Sequence, residues 1–83
     1  MEVGDKVKIK SKYDEGCDQY DYVGAFVEDM LIYYGGRVAT IEEKWPIRYI
    51  IPTKKIKSDG FGYNLNIDNH AWTWSSGMFE EEF

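Results

Sequence analysis

Tyr63-Asn-Leu-Asn-Ile-Asp-Asn-His-Ala-Trp-Thr-Trp74 is the stretch whose reading decides the fold. Tyr63, Leu65 and Ile67 alternate with Asn64, Asn66 and Asp68, the two-residue period of a strand with one apolar face. Asp68-Asn69-His70 tolerates a left-handed backbone and bonds its own main chain, so the chain is expected to reverse there. The returning arm then sets Trp72 and Trp74 on one face and Ala71, Thr73 and Ser75 on the other. A lone hairpin is marginal in water, so other strands must cover this aromatic face.

Working back toward the N-terminus, Phe61-Gly62 leads into the hairpin and Ser58-Asp59-Gly60 is a turn signal. Trp45 through Pro52 alternates with Trp45, Ile47, Tyr49 and Ile51 on one face, and Pro46 and Pro52 near its ends suit an edge or a bulge. Arg37 to Glu42 is a β-branched strand, joined to the next one by Glu42-Glu43-Lys44. Gly35-Gly36 closes a short helix over Phe26–Tyr33, where Phe26, Met30 and Tyr33 have helical spacing. Residues 11–25 are aperiodic and rich in Asp and Gly, a long loop. Before them, Lys6-Val-Lys-Ile-Lys10 alternates cleanly, with Val7 and Ile9 inward and the lysines in solvent. After the hairpin, Ser75-Ser76-Gly77-Met78-Phe79 reads as a serine-capped 3-10 turn that folds Met78 and Phe79 back on the core.

These elements predict a mainly β fold, a small five-stranded SH3-like barrel. It has a long loop and a short helical turn after the first strand and a 3-10 turn near the C-terminus. The 83 residues make one domain, 1–83. Aromatic residues form 17% of the chain, enough to build a core in so short a sequence. The single cysteine, Cys17, precludes an internal disulfide and fits a reducing, cytoplasmic setting. The polar N-terminus does not resemble a secretory signal, and no apolar run approaches the length of a membrane span.

The order Val3-Gly-Asp-Lys-Val-Lys-Ile9, Tyr34-Gly-Gly-Arg-Val-Ala-Thr-Ile41, Tyr63-Asn-Leu-Asn-Ile-Asp-Asn69 and Trp72-Thr-Trp-Ser-Ser-Gly-Met-Phe-Glu80 resembles a group of small, mostly uncharacterised proteins encoded by bacteriophages and prophages. The resemblance spans nearly the whole chain. It implies an SH3-like fold and a phage or prophage context, and it implies no activity. Residues 44–62 are longer than the tight connection that such proteins lead one to expect, which makes the basic segment an insertion.

Charge is unevenly spread. The net charge is −5, which argues against direct binding to nucleic acid or anionic membrane. From Tyr13 to Asp29 there are six acids and no Lys or Arg, whereas Lys44 to Lys57 holds five basic residues and no acid. No catalytic constellation is apparent. His70 beside Asp68 lacks a nucleophile or further ligands and is expected to bond its own backbone. Cys17 lies among acids that disfavour a thiolate. Asp14, Glu15, Asp18 and Asp21 lack the ligand order of a calcium loop, and the glycines match no phosphate-binding fingerprint. No enzyme activity, cofactor or metal is expected.

What remains is binding. A non-enzymatic module that contacts a host or phage protein is the leading expectation, with Asp18, Tyr20, Asp21, Tyr22, Asp29, Tyr34 and Trp45 as contact candidates. Tyr20, Tyr22 and Trp45 are the rings expected at the surface. Two alternatives stay open. One is an acidic, anti-CRISPR-like inhibitor that imitates nucleic acid before a host nuclease or defence system. The other is capture of a nucleotide or small ligand by aromatic rings and the basic segment.

Overall fold

The computed structural model describes residues 1–48 and 55–80. Four strands form one antiparallel sheet in the order β1-β2-β3-β4: β1 (Lys6–Lys8), β2 (Val38–Pro46), β3 (Phe61–Leu65) and β4 (Trp74–Ser75). In β1 the alternation acts as expected, with Val7 and Ile9 buried and Lys6 and Lys8 exposed. Val7 sits opposite Ala39, and Lys6 and Lys8 sit opposite Thr40 and Val38, so one face of the pair is apolar and the other wet.

The segments expected as separate second and third strands run together. Glu42-Glu43-Lys44 does not turn the chain; it lies within β2. The register steps from Ile41 opposite Leu65 to Glu43 opposite Asn64, which leaves Glu42 as the extra residue of a β-bulge. A bulge absorbs a polar residue inside a strand and adds twist, so a break in alternation here meant curvature, not a connection. Trp45 and Pro46 end β2, opposite Gly62 and Phe61. Ile47 and Arg48, expected to continue a third strand, lie beyond the end of β2 and are not strand, and Tyr49 to Pro52 lie outside the described residues. Among the described residues there are therefore four strands, not five.

The hairpin forms with Tyr63 opposite Trp74, but its return arm pairs over two residues only. Asn69 and His70 adopt φ of +54° and +61°, as the turn chemistry demands. The Ala71 amide donates to the Asp68 carbonyl and the Trp72 amide to the Asp68 carboxylate. Trp72 thus spends its N–H inside the turn, half-buried, and the ladder starts at Trp74.

Closure comes from beyond β4. The 3-10 turn Ser76–Met78 carries no side-chain serine cap; Ser75 instead donates its hydroxyl to the Val23 carbonyl. The turn swings Phe79 into an antiparallel bridge with Ile9, and the Lys10 and Glu80 amides donate to the Met78 and Lys8 carbonyls. The sheet is thereby curled until its last segment meets its first strand.

The loop after β1 is more ordered than its lack of period suggests. A 3-10 turn, Gln19–Asp21, is held by a capping box between Asp18 and Asp21. The helix α1 (Glu28–Tyr34) follows and ends at Gly35. Phe26 lies before the helix, beyond its extended N-cap Val27, so the spacing from Phe26 to Tyr33 does not mark one helical face. The inward stripe is Met30, Leu31 and Tyr34, and Tyr33 is 66% exposed.

The core is aromatic. Trp74 is fully buried and makes edge contacts with Phe26 and Tyr34 and a stacked contact with Phe79. The loop and the helix thus cover the open side of the sheet through the same indole that anchors the hairpin.

Candidate interaction face

The acidic segment is built on two anchors. Tyr22, expected at the surface, is completely buried; its hydroxyl accepts from the Asp14 amide at 2.7 Å and donates to the Asp14 carboxylate at 3.0 Å. Burial, aided by that carboxylate, pushes the phenol up to about 12. Asp14 also pairs with Lys10 at 2.8 Å. The Tyr22 ring packs on Phe26 and holds the loop down, and it is not offered to a partner.

Asp18 and Asp21 turn their side chains onto local backbone, Asp18 accepting from the Tyr20 amide and Asp21 from the Asp18 amide. Their work is to shape the turn that lifts Tyr20, 67% exposed, into solvent. Asp29 lies exposed in the first turn of α1, where an acid complements the helix end. Tyr34 is half-buried against Trp74, with the Arg37 guanidinium 5.8 Å from its ring centre. Trp45 belongs to the β2–β3 ladder, where Gly62 leaves room for its indole: a Cβ on Gly62 would come within 2.7 Å of Trp45 Cε2. Of the seven contact candidates, Asp18, Tyr20, Asp21 and Asp29 share the exposed loop–helix segment, and Tyr22, Tyr34 and Trp45 serve packing.

Three residues outside the seven candidates belong to that segment. Ile32 and Tyr33 stand 66% exposed on the outer side of α1, and half-buried Tyr13 packs edge-on against Phe26. Glu28-Asp29, acids that mark the first helical turn, signalled where the helix starts; Met30 to Tyr34 are all apolar or aromatic, so the period alone leaves its outward side open.

Elsewhere, His70, Lys44 and Lys55 are engaged in the structure. Among the described residues the His70 ring bonds no backbone; its nitrogens face Glu42 Oε1 at 3.0 Å and Glu43 Oε1 at 3.1 Å. The bulge sets these carboxylates against different ring nitrogens, so they clasp the imidazole and do not converge on one ion. No group of three or more metal-ligating side chains forms among the described residues. Within the basic segment, Lys44 pairs with Glu2 and lies 4.2 Å from the Phe61 ring centre. Lys55 donates to the Gly16 carbonyl and the Ile56 amide to the Asp21 carbonyl, so this part of the segment braces the acidic loop. Lys54 lies outside the described residues.

No family model, curated protein or solved structure matches the chain.

Proposed function

We propose that the chain is a non-enzymatic protein-interaction module on an SH3-like barrel, and that its contact surface is the loop–helix face from Tyr13 to Tyr33. The observation that carries this is the coincidence of three large exposed side chains, Tyr20, Ile32 and Tyr33, with a segment holding six acids and no cation between Tyr13 and Asp29. Exposed apolar groups rimmed by charge are the usual make-up of a protein contact. The ordering of the loop by Tyr22 and the capping box supports it, because a preformed surface loses less entropy on binding. The resemblance to phage and prophage proteins supports a host or phage protein as partner, in a cytoplasm. No helix among the described residues is long and apolar enough to cross a membrane.

Affinity capture with the purified chain, run beside Tyr20→Ala and Ile32→Ser/Tyr33→Ala variants, tests the reading. A protein retained in stoichiometric amount by the parent and lost from variants with unchanged melts supports it. Retention of a nucleotide or metabolite and no protein overturns it.

Imitation of nucleic acid before a host nuclease or defence enzyme is a second reading, favoured by Glu15, Glu28 and Asp29, exposed carboxylates with no ion pair among the described residues. Salt separates the two. Mimicry by charge weakens steeply with ionic strength, whereas a contact anchored by Tyr20, Ile32 and Tyr33 weakens little.

A further inference from the structure

Between the segment leaving β1 and the flank of α1 lies a groove of about 350 Å³, lined by Ser11, Lys12, Tyr13, Glu28, Leu31 and Ile32. Leu31 and the Tyr13 ring are half-buried, and Ile32 is exposed at the rim. Glu28 is exposed and has no cation partner among the described residues. Asp18 is close enough that its charge, with that of Glu28, adds to the effect of burial in raising the Tyr13 phenol.

The chain places its own cations against three other rings. Lys10 lies 5.9 Å from the Tyr22 centre, Arg37 5.8 Å from Tyr34 and Lys44 4.2 Å from Phe61. Tyr13 has the acidic neighbours but, among the described residues, no cation over its ring. An electron-rich ring beside carboxylates that carry no ion pair among the described residues attracts a cation, and the adjoining Leu31 and Ile32 favour an aliphatic neighbour. Lys12, the one cation in the lining, disfavours a dense basic run.

We propose that this groove receives an arginine side chain from a basic, amphipathic segment of a partner protein, the guanidinium lying against Tyr13 and bonding Glu28, with an aliphatic side chain on Leu31 and Ile32. Arginine fits better than lysine because its planar group both stacks on a ring and forks onto a carboxylate. The inference rests on the interaction-module reading and narrows it to one occupant.

The test uses the intact chain labelled with nitrogen-15 and titrated with short capped peptides alternating Arg with Leu, Lys with Leu, or Glu with Leu. The Arg peptide is expected to shift the amides of Ser11 to Tyr13 and Glu28 to Ile32. The Lys peptide, and the Arg peptide on Glu28→Gln or Ile32→Ser, are each expected to bind about tenfold more weakly, as loss of one good contact implies. Both variants should keep the parent melting temperature. Equal binding of the Glu peptide, indifference to Glu28→Gln, or absence of any Arg-peptide shift overturns the groove assignment. Shifts confined to Tyr20 and Tyr33 also overturn it while leaving the module reading intact. The capture experiment, which uses natural partners, judges the wider reading independently.

Discussion

Trp74 donates its indole N–H to Asp68 Oδ2 at 3.0 Å, and the same oxygen accepts the Trp72 amide at 3.0 Å. One carboxylate therefore fixes both the turn and the central ring. Trp74→Ala is expected to cost on the order of 3–5 kcal/mol, a large part of a small domain's stability, and to abolish a cooperative melt. Asp68→Ala orphans two donors and should cost about 1–3 kcal/mol, read as a lower urea midpoint; Asp68→Asn, which keeps an acceptor oxygen, should cost less. The buried phenols add a pH signature. Burial raises Tyr22 from 10.0 to about 12, and burial with the Asp59 carboxylate that accepts its hydroxyl raises Tyr63 further. Their folded pKa values exceed the unfolded ones, so this contribution is complete below about pH 10 and is lost as pH rises through about 12. Urea midpoints should fall across that window, and less steeply in Tyr22→Phe; an equal fall in parent and variant would refute the assignment.

Two close approaches decide how elements meet. Gly62 on β3 lies beneath the Trp45 indole, so Gly62→Ala pushes the ring outward. Overpacking of this kind costs about 1–3 kcal/mol and should show as a shift in tryptophan fluorescence with the fold retained. Gly35 ends α1 where a Cβ would strike the Leu31 carbonyl oxygen and come within 3.0 Å of Ser11 Cα. Both obstacles are backbone. Gly35→Ala should therefore lift α1 off the segment leaving β1, expose the Leu31 groove and lower the melting temperature; an unchanged melt would show that α1 docks less tightly than the contacts imply.

At the scale of the molecule, β1 is held on one side by β2 and on the other, among the described residues, by the Ile9–Phe79 bridge and its hydrogen bonds. Phe79 also stacks on Trp74, so closure and core depend on one side chain. Phe79→Ala should cost about 3–5 kcal/mol. The Lys10 and Glu80 amides should also exchange with solvent faster than the Tyr63 and Trp74 amides of the β3–β4 pair. Equal acceleration everywhere would mean that the sheet opens as one unit, and that closure is not a separate step.

The sequence by itself determined that Val7, Ile9, Tyr63, Leu65 and Trp74 face inward, the reversal at Asn69-His70, the helix stop at Gly35-Gly36 and the mainly β class, because each follows from local period or backbone tolerance. It also determined the separation of charge along the chain, since that depends on residue order alone. Asp68 and Ser75, expected on the outer face, are buried through their bonds to Trp74 and Val23. The bulge at Glu42, the fate of Tyr22 and the outward side of α1 required the tertiary structure. Polar Glu42-Glu43 has the composition of a turn, and only pairing with Leu65 and Asn64 makes it strand. Tyr22 lies in an aperiodic loop, and only the approach of Asp14 and Phe26 supplies the partners that let its hydroxyl be buried. Whether Ile32 or Tyr34 faces inward depends on which side of a seven-residue helix meets Trp74. That is a contact between residues forty apart, and local propensity carries no record of it.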